Sequence, residues 1–264
     1  AKIAGLPLYR FLAERRGNYA TPSRVRAYAG GGYPYPQDDI ARLSDEIQAF
    51  VDLGFTHAKI KIGGAGLEQD QRRIEAAVAQ LSAPSHLAVD AMNSYDCDRA
   101  LEVGRMLARF DLWWFEDICD PLDFQTLSRV AAAYAGPIAA GEALFSLAEA
   151  KLLDRYGGLR RAQDILLFDP VHCYGLTHYI EIVSHLTRQG WPRAAFWPHG
   201  GHLFSLHLVA ALDLGGAEIN PLGFKPFRGV APGMEIVDGF VTLPEAPGIG
   251  FESHNEAWQE FCKL

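Results

Sequence analysis

The chain has 264 residues, with 24 Lys plus Arg against 32 Asp plus Glu and a formal charge of −8. That acidic balance argues against nucleic acid or an anionic membrane surface as the main partner. No apolar run approaches a membrane span, and Cys97, Cys119, Cys173 and Cys262 form no CxxC pair, which fits a reduced, cytoplasmic compartment.

In chain order, short apolar strands alternate with amphipathic helices. Lys2 to Glu14 reads as a helix carrying Ile3, Leu6, Leu8, Phe11 and Leu12, the end of one already under way at Ala1. Gly17 and Pro22 stop it. Val25 to Ala29 is the first strand and runs into Gly30, Gly31 and Gly32. Asp38-Asp39 opens a helix with Ile40, Leu43, Ile47, Phe50 and Val51 at helical spacing, closed by Gly54. The predicted strands that follow are Thr56–Ile62, Leu87–Ala91, Leu112–Glu116, Pro137–Glu142, Ile165–Asp169 and Ala194–Trp197, with a short last one at Glu218-Ile219. Helices are predicted between them at Glu68–Leu81, Arg99–Arg109, Phe124–Tyr134, Leu147–Tyr156, Leu176–Gln189 and Leu203–Leu212. This is the pattern of a parallel α/β barrel, a TIM-type (β/α)8 or a modified (β/α)7β form. From Pro226 the pattern changes to a loop-rich return with a strand at Gly239–Leu243 and a helix near Ala257–Phe261. The organisation expected is a linking helix over 1–20, a barrel over 21–225 and a C-terminal segment over 226–264.

The chemistry sits at the strand ends. Asp90, Glu116 and Glu142 stand 26 residues apart each time, about one strand-loop-helix-loop unit. On a barrel they meet at the C-terminal rim, where catalytic groups of such barrels gather. Three converging carboxylates repel, so a hard divalent cation is expected among them, Mg²⁺ above all. Lys59 and Lys61 alternate with Ala58, Ile60 and Ile62 and so share a face. Two ammonium groups so placed are expected to lower the pKa of at least one, as a general base requires; the plain alternative is a solvated strand edge. Asp169 ends strand six and His199 ends strand seven, an arrangement in which the carboxylate fixes the imidazole's tautomer. Gly200-Gly201 after His199 also fits a phosphate cradle, although no basic residue lies near in sequence. His199 with His202 as zinc ligands lacks the HExxH context. Trp113, Trp114, Trp191 and Trp197 read as packing residues, the remaining histidines as surface or packing residues, and Asp117 as a rim residue rather than a ligand.

Taken together, KIKIG, VDA, WFED, AAGEALFS, FDP and WPHGGH resemble the enolase superfamily in its mandelate racemase-like branch. Residues 28–32 (YAGGG), 59–64 (KIKIGG), 198–202 (PHGGH) and 247–252 (PGIGFE) look most like the D-tartrate dehydratase group. The resemblance implies Mg²⁺ on Asp90, Glu116 and Glu142, Lys61 as the base that takes an α-proton with Lys59 assisting, and His199 paired with Asp169 as acid or base opposite. Lys59, Asn93 and Glu218 are then expected to face the substrate. The implied activity is dehydration of an acid sugar or hydroxy diacid through an enediolate to a 2-keto acid; a racemase or epimerase and an inert metal-binding barrel are the alternatives. Met92, Ala143 and residues 216–221 depart from the group's pattern, which bears on substrate more than on chemistry. A small-molecule carboxylate as substrate and a symmetric homo-oligomer are expected. The family's N-terminal α+β cap is missing from this chain, and a lone barrel is expected to expose an apolar patch.

Overall fold

Alternation of side chains along short strands decides the architecture. A computed structural model describes the chain except residues 19, 225–230, 232, 254 and 264 and the side chains of 255 and 257. On β2 (Ala58–Lys61) Ala58 and Ile60 turn outward into the apolar layer, while Lys59 and Lys61 turn inward. β3 (Leu87–Asp90) and β4 (Trp114–Glu116) divide the same way, with Leu87, Val89 and Phe115 outward and Asp90, Trp114 and Glu116 inward. A one-residue slip would send every charge into the apolar layer, so the pattern also fixes the register. Lys61 lies opposite Asp90, and Asp90 opposite Glu116.

From β6 (Ile165–Leu166) the parallel ladder runs through β5 (Ile138–Ala140), β4, β3 and β2 to β1 (Arg24–Gly30). β7 (Ala217–Ile219) pairs in parallel with β1. The gap between β6 and β7 is filled by extended backbone at 196–199. There Trp197 N–H donates to Leu166 O at 2.9 Å, and Gly215 N–H donates to Phe196 O at 3.0 Å. The ring is therefore closed, a TIM-type barrel. Helices α2 (Asp39–Asp52), α3 (Leu67–Val78), α4 (Cys97–Leu107), α5 (Phe124–Ala133), α6 (Leu147–Tyr156), α7 (Leu176–Arg188) and α8 (Leu203–Leu212) follow its first seven positions. α1 (Leu8–Arg15) packs on α8.

Two predicted elements are corrected. The helix expected from Lys2 is broken: a 3₁₀ turn at Lys2–Ala4 ends at Gly5, which takes φ 65°, and α1 starts only after Pro7. Ala194–Trp197 is not a strand but a 3₁₀ turn, Arg193–Ala195, followed by a single parallel bridge from Phe196 to Leu166. Pro192 starts that turn, and the ladder pairs at one residue only. Downstream, β8 (Ile236–Val237) and β9 (Phe240–Thr242) form a hairpin whose second strand runs antiparallel to Arg24–Arg26, at the start of β1 and away from the carboxylates. The last helix is α9 (Asn255–Phe261). The boundary expected at 225–226 lies outside the described residues.

Below the carboxylates the barrel is filled, not hollow. Tyr28, Trp113, Trp114 and Trp197 stack and abut, with ring centroids 3.8 Å apart for the two adjacent indoles and 5.2 Å for Tyr28 on Trp114. This bears out the reading of these tryptophans as packing residues, as does Trp191, buried with its N–H donating to Asp154 Oδ1 at 2.7 Å.

α8 is apolar on every side and is buried between barrel and α1. Its one imidazole, His207, is fully buried. Nδ1 accepts from Tyr9 N–H at 3.2 Å and Nε2–H donates to Ile249 O at 3.1 Å. His207 thus satisfies a free N–H in the first turn of α1, where the neighbouring Leu8 N–H donates to Gly248 O. Burial pushes His207 down to about 4, against the bond to Ile249. The unfolded chain, with a usual histidine, binds this proton more tightly than the folded one. Stability from this group is therefore complete above pH 6.5 and lost as pH falls toward 4. The loss is about 3 kcal/mol. Urea unfolding at pH 7 and pH 4.5 checks it: wild type is expected to lose more stability across that interval than His207→Gln, and equal losses would refute the assignment.

Candidate metal and acid–base site

Most inward side chains at the strand ends are ionisable, and their order around the ring determines what each meets. Position two, β2, supplies Lys59 and Lys61. Positions three and four supply Asp90 and Glu116, and the turn after β5 supplies Glu142. Asp169 follows β6, His199 follows the extended segment, and Glu218 lies on β7. Gly30 on β1 faces Glu218 with no side chain of its own; a Cβ there would strike the Glu218 carboxylate and lie 2.8 Å from Asn220 Oδ1.

The expected carboxylates do converge. One oxygen from each of Asp90, Glu116 and Glu142 lies within 4.8 Å of the others. Trp114 Nε1–H donates to Glu116 Oε2 at 2.7 Å, and Met92 N–H to Asp90 Oδ1 at 2.7 Å. Lys59 pairs with Glu116 and also approaches Asp90 at 3.4 Å and Glu218 at 3.5 Å. Lys61 pairs with Asp90. Glu142 differs: its Oε2 is buried without a hydrogen-bond partner, although His199 Nε2 lies 3.4 Å away. An oxygen left over in this way beside two other carboxylates suits an oxygen-seeking cation.

The electrostatics agree. Burial pushes Glu116 up to about 8, with Lys59 pulling down and Asp90 and Glu142 pushing further up. Burial also disfavours charge on Asp90, but Lys59 and Lys61 hold it well below the usual carboxylate range. The expectation of a depressed lysine is corrected. Burial opposes both ammonium groups, and Lys59 opposes Lys61, yet Glu116 and Glu218 carry Lys59 well above the ordinary value and Asp90 carries Lys61 above it. The KxK pattern shows two like charges on one strand. It does not show the acids that β3, β4 and β7 bring to them.

Asp169 and His199 also meet as expected. His199 Nδ1–H donates to Asp169 Oδ2 at 3.1 Å, so Nε2 faces the carboxylates, 3.4 Å from Glu142 and 4.0 Å from Glu218. Burial works against the imidazolium, but the Asp169 bond, then Glu218 and Glu142, raise His199 to about 9. Despite its own burial Asp169 is held below the usual range by the bonds from His199 and His202. Lys61, Asp169, His199 and Glu218 line one basin of about 280 Å³.

Asn93 is not brought to that basin. It takes φ 57° and its amide donates to Asp117 Oδ2 at 3.3 Å, behind the rim. Asp117, buried there, is not part of the carboxylate cluster. His202, read as a surface or packing residue, instead caps α8 by accepting from Ser205 N–H and sets Nε2 3.2 Å from Asp169 Oδ1. His172, read as a surface or packing residue, also lines the basin, as do Asn220 from the 216–221 stretch expected to bear on substrate, and Tyr33 and Phe224, which the sequence did not single out. The signal for His172 was its place three residues beyond Asp169.

A sequence profile described as enolase C-terminal domain-like matches residues 42–257. The chain is 30% identical to an arabinonate dehydratase of Saccharolobus solfataricus, over 99% of this chain and 69% of that protein. It is 30% identical to a D-galactarolactone cycloisomerase of Agrobacterium fabrum, over 90% of this chain and 65% of the relative. A crystal structure of L-talarate dehydratase from Polaromonas sp. JS666, complexed with Mg and L-glucarate, superposes with a TM-score of 0.74 at 28% identity, over 94% of this chain and 65% of that one. This closed parallel barrel with acids on its rim belongs to the enolase C-terminal domain-like family, within the mandelate racemase/enolase superfamily. The chain spans about two thirds of the length of these relatives. Among the described residues, no helix is long and apolar enough to cross a membrane.

Proposed function

We propose that this chain carries the catalytic barrel of a Mg²⁺-dependent acid-sugar dehydratase, which removes an α-proton and the β-hydroxyl of its substrate to leave a 2-keto acid. The observation that carries the reading is the placing of Lys61 and the His199–Asp169 pair on the two flanks of the carboxylate triad, facing one basin. Asp90, Glu116 and Glu142 hold the ion. Bound there, Mg²⁺ would supply positive charge beside the substrate carboxylate and beside Lys61, stabilising the charge left by proton removal and lowering the lysine pKa.

The side chains then divide the work. Lys61 takes the α-proton, and Lys59 beneath it balances the charge of Glu116 and Glu218. His199, raised to about 9, is protonated at neutral pH and gives its Nε2 proton to the departing hydroxyl, which leaves as water. Asp169 keeps the ring oriented and supports its charge. Glu218 faces the substrate beside His199. The similarity to an arabinonate dehydratase and to an L-talarate dehydratase supports acid sugars; a hydroxy diacid of the D-tartrate type is the short end of that range, favoured by the motifs at 198–202 and 247–252.

The same two flanks support a second reading, racemisation or epimerisation, because Lys61 and His199 could exchange one proton across the substrate. Incubating a panel of acid sugars in D₂O separates the two by proton NMR. A keto acid supports dehydration, and an α-deuterated epimer without keto acid overturns it. His199→Asn is expected to lower keto-acid release by about a hundredfold or more while slow α-deuteration persists. Normal release by that variant would remove His199 as the acid.

A further inference from the structure

A second group of side chains able to hold a metal ion lies beside the first: one nitrogen each from His172 and His199 and one oxygen of Asp169 lie within 4.8 Å of one another. We propose that these three residues form a binding site for a borderline transition ion, Zn²⁺ fitting best, and that filling it takes the Asp169–His199 pair out of acid–base use. Binding stands apart from the dehydratase reading; only the loss of acid–base use rests on it.

The donor set differs in kind from the carboxylate triad. Two imidazoles and one carboxylate oxygen suit Zn²⁺, whereas three carboxylates suit Mg²⁺. The two sites would therefore sort two ions by ligand chemistry although they share one rim.

The tautomer of His172 suits a ligand. Its Nδ1 lies 2.9 Å from Glu142 O, and a carbonyl can only accept, so Nδ1 carries the proton and Nε2 a free lone pair. Donating the second ring N–H to a main-chain carbonyl is how metal-binding histidines are commonly fixed. Asp169 is fixed as well. Val171 N–H and His172 N–H donate to its Oδ1 at 2.6 and 3.3 Å, and His202 Nε2 lies 3.2 Å from the same oxygen. The His172 and His199 rings sit 5.4 Å apart at 35°, nearly side by side.

Tetrahedral zinc with bonds of about 2.1 Å sets its donors about 3.4 Å apart, so shifts of about an ångström close the site. Val171 and His172 are exposed, which leaves the approach and a fourth position open to water. Binding releases the proton from the His199 nitrogen that takes the zinc, so uptake is accompanied by proton release to the buffer.

Calorimetric titration of the full chain with Zn²⁺, in millimolar Mg²⁺ to fill the carboxylate triad, tests the site. Wild type is expected to take up one zinc, and His172→Gln to bind it at least about tenfold more weakly while Mg²⁺ binding is unchanged. His172→Cys restores a zinc ligand and is expected to recover uptake. Under the same conditions Co²⁺ should give the visible absorption of a tetrahedral site in wild type and lose it in His172→Gln. No zinc uptake in the presence of Mg²⁺, or equal uptake by wild type and His172→Gln, overturns the site. Zinc bound through His172 that leaves turnover unslowed overturns the inhibitory half.

Discussion

Lys61→Ala is expected to abolish α-proton exchange and turnover together, each falling by about a thousandfold or more. Lys61 is the inward cation that reaches the basin, whereas Lys59 is fully buried among Glu116, Asp90 and Glu218. The two lysines therefore differ in the loss they predict. Without Lys61 the substrate still meets the carboxylates and His199, but nothing stands on the β2 flank to accept a proton. Without Lys59 three buried acids lose their shared counter-charge, so Lys59→Ala destabilises the fold as well as the chemistry. Deuterium uptake at Cα by NMR, with thermal unfolding of both variants, distinguishes these losses. A Lys61→Ala protein that folds and still exchanges the α-proton at the normal rate would refute the assignment.

Mg²⁺ affinity is expected to fall by about a hundredfold or more in Glu142→Ala, since ligand charge count sets the affinity of oxygen sites. Glu142 is the informative member because it has no lysine. Asp90 and Glu116 each pair with an ammonium group, so removing either also strands a buried cation. Glu142→Ala strands no lysine: it removes an oxygen without a hydrogen-bond partner and one of the carboxylates near His199 Nε2. The variant is thus expected to keep the melting temperature of the metal-free chain and to lose the rise that Mg²⁺ gives wild type. Calorimetry and thermal scans with and without Mg²⁺ test both halves. Unchanged affinity would place the ion elsewhere.

The barrel was legible because its strands are short, its helices are amphipathic and the spacing of Asp90, Glu116 and Glu142 repeats. The Ser146–Glu149 capping box, present in the sequence as SLAE, starts α6 at the predicted Leu147. What sequence did not show depends on neighbours far along the chain. The position after β6 reads as a strand from its aromatic residues, but a proline-led turn takes most of it and only Phe196 bridges. Asn93 is polar and next to a carboxylate, yet its left-handed backbone turns it to Asp117. The lysine pKa values went the opposite way because acids on three other strands outweigh one neighbour on the same strand. His202 and His172 acquired their places only when Asp169 came within reach.

The aromatic floor has an optical consequence. Trp114 donates its indole N–H to Glu116 Oε2 while its ring lies 3.8 Å from Trp113 and 5.9 Å from Trp197. Excitation absorbed by any of these three indoles passes readily to the others at such separations. One of them is bonded directly to a carboxylate of the triad, so a change of charge on Glu116 alters the field on the whole group. The barrel floor thus couples the protein's own fluorescence to the ionic state of its rim, and occupancy there can be followed as emission without a label.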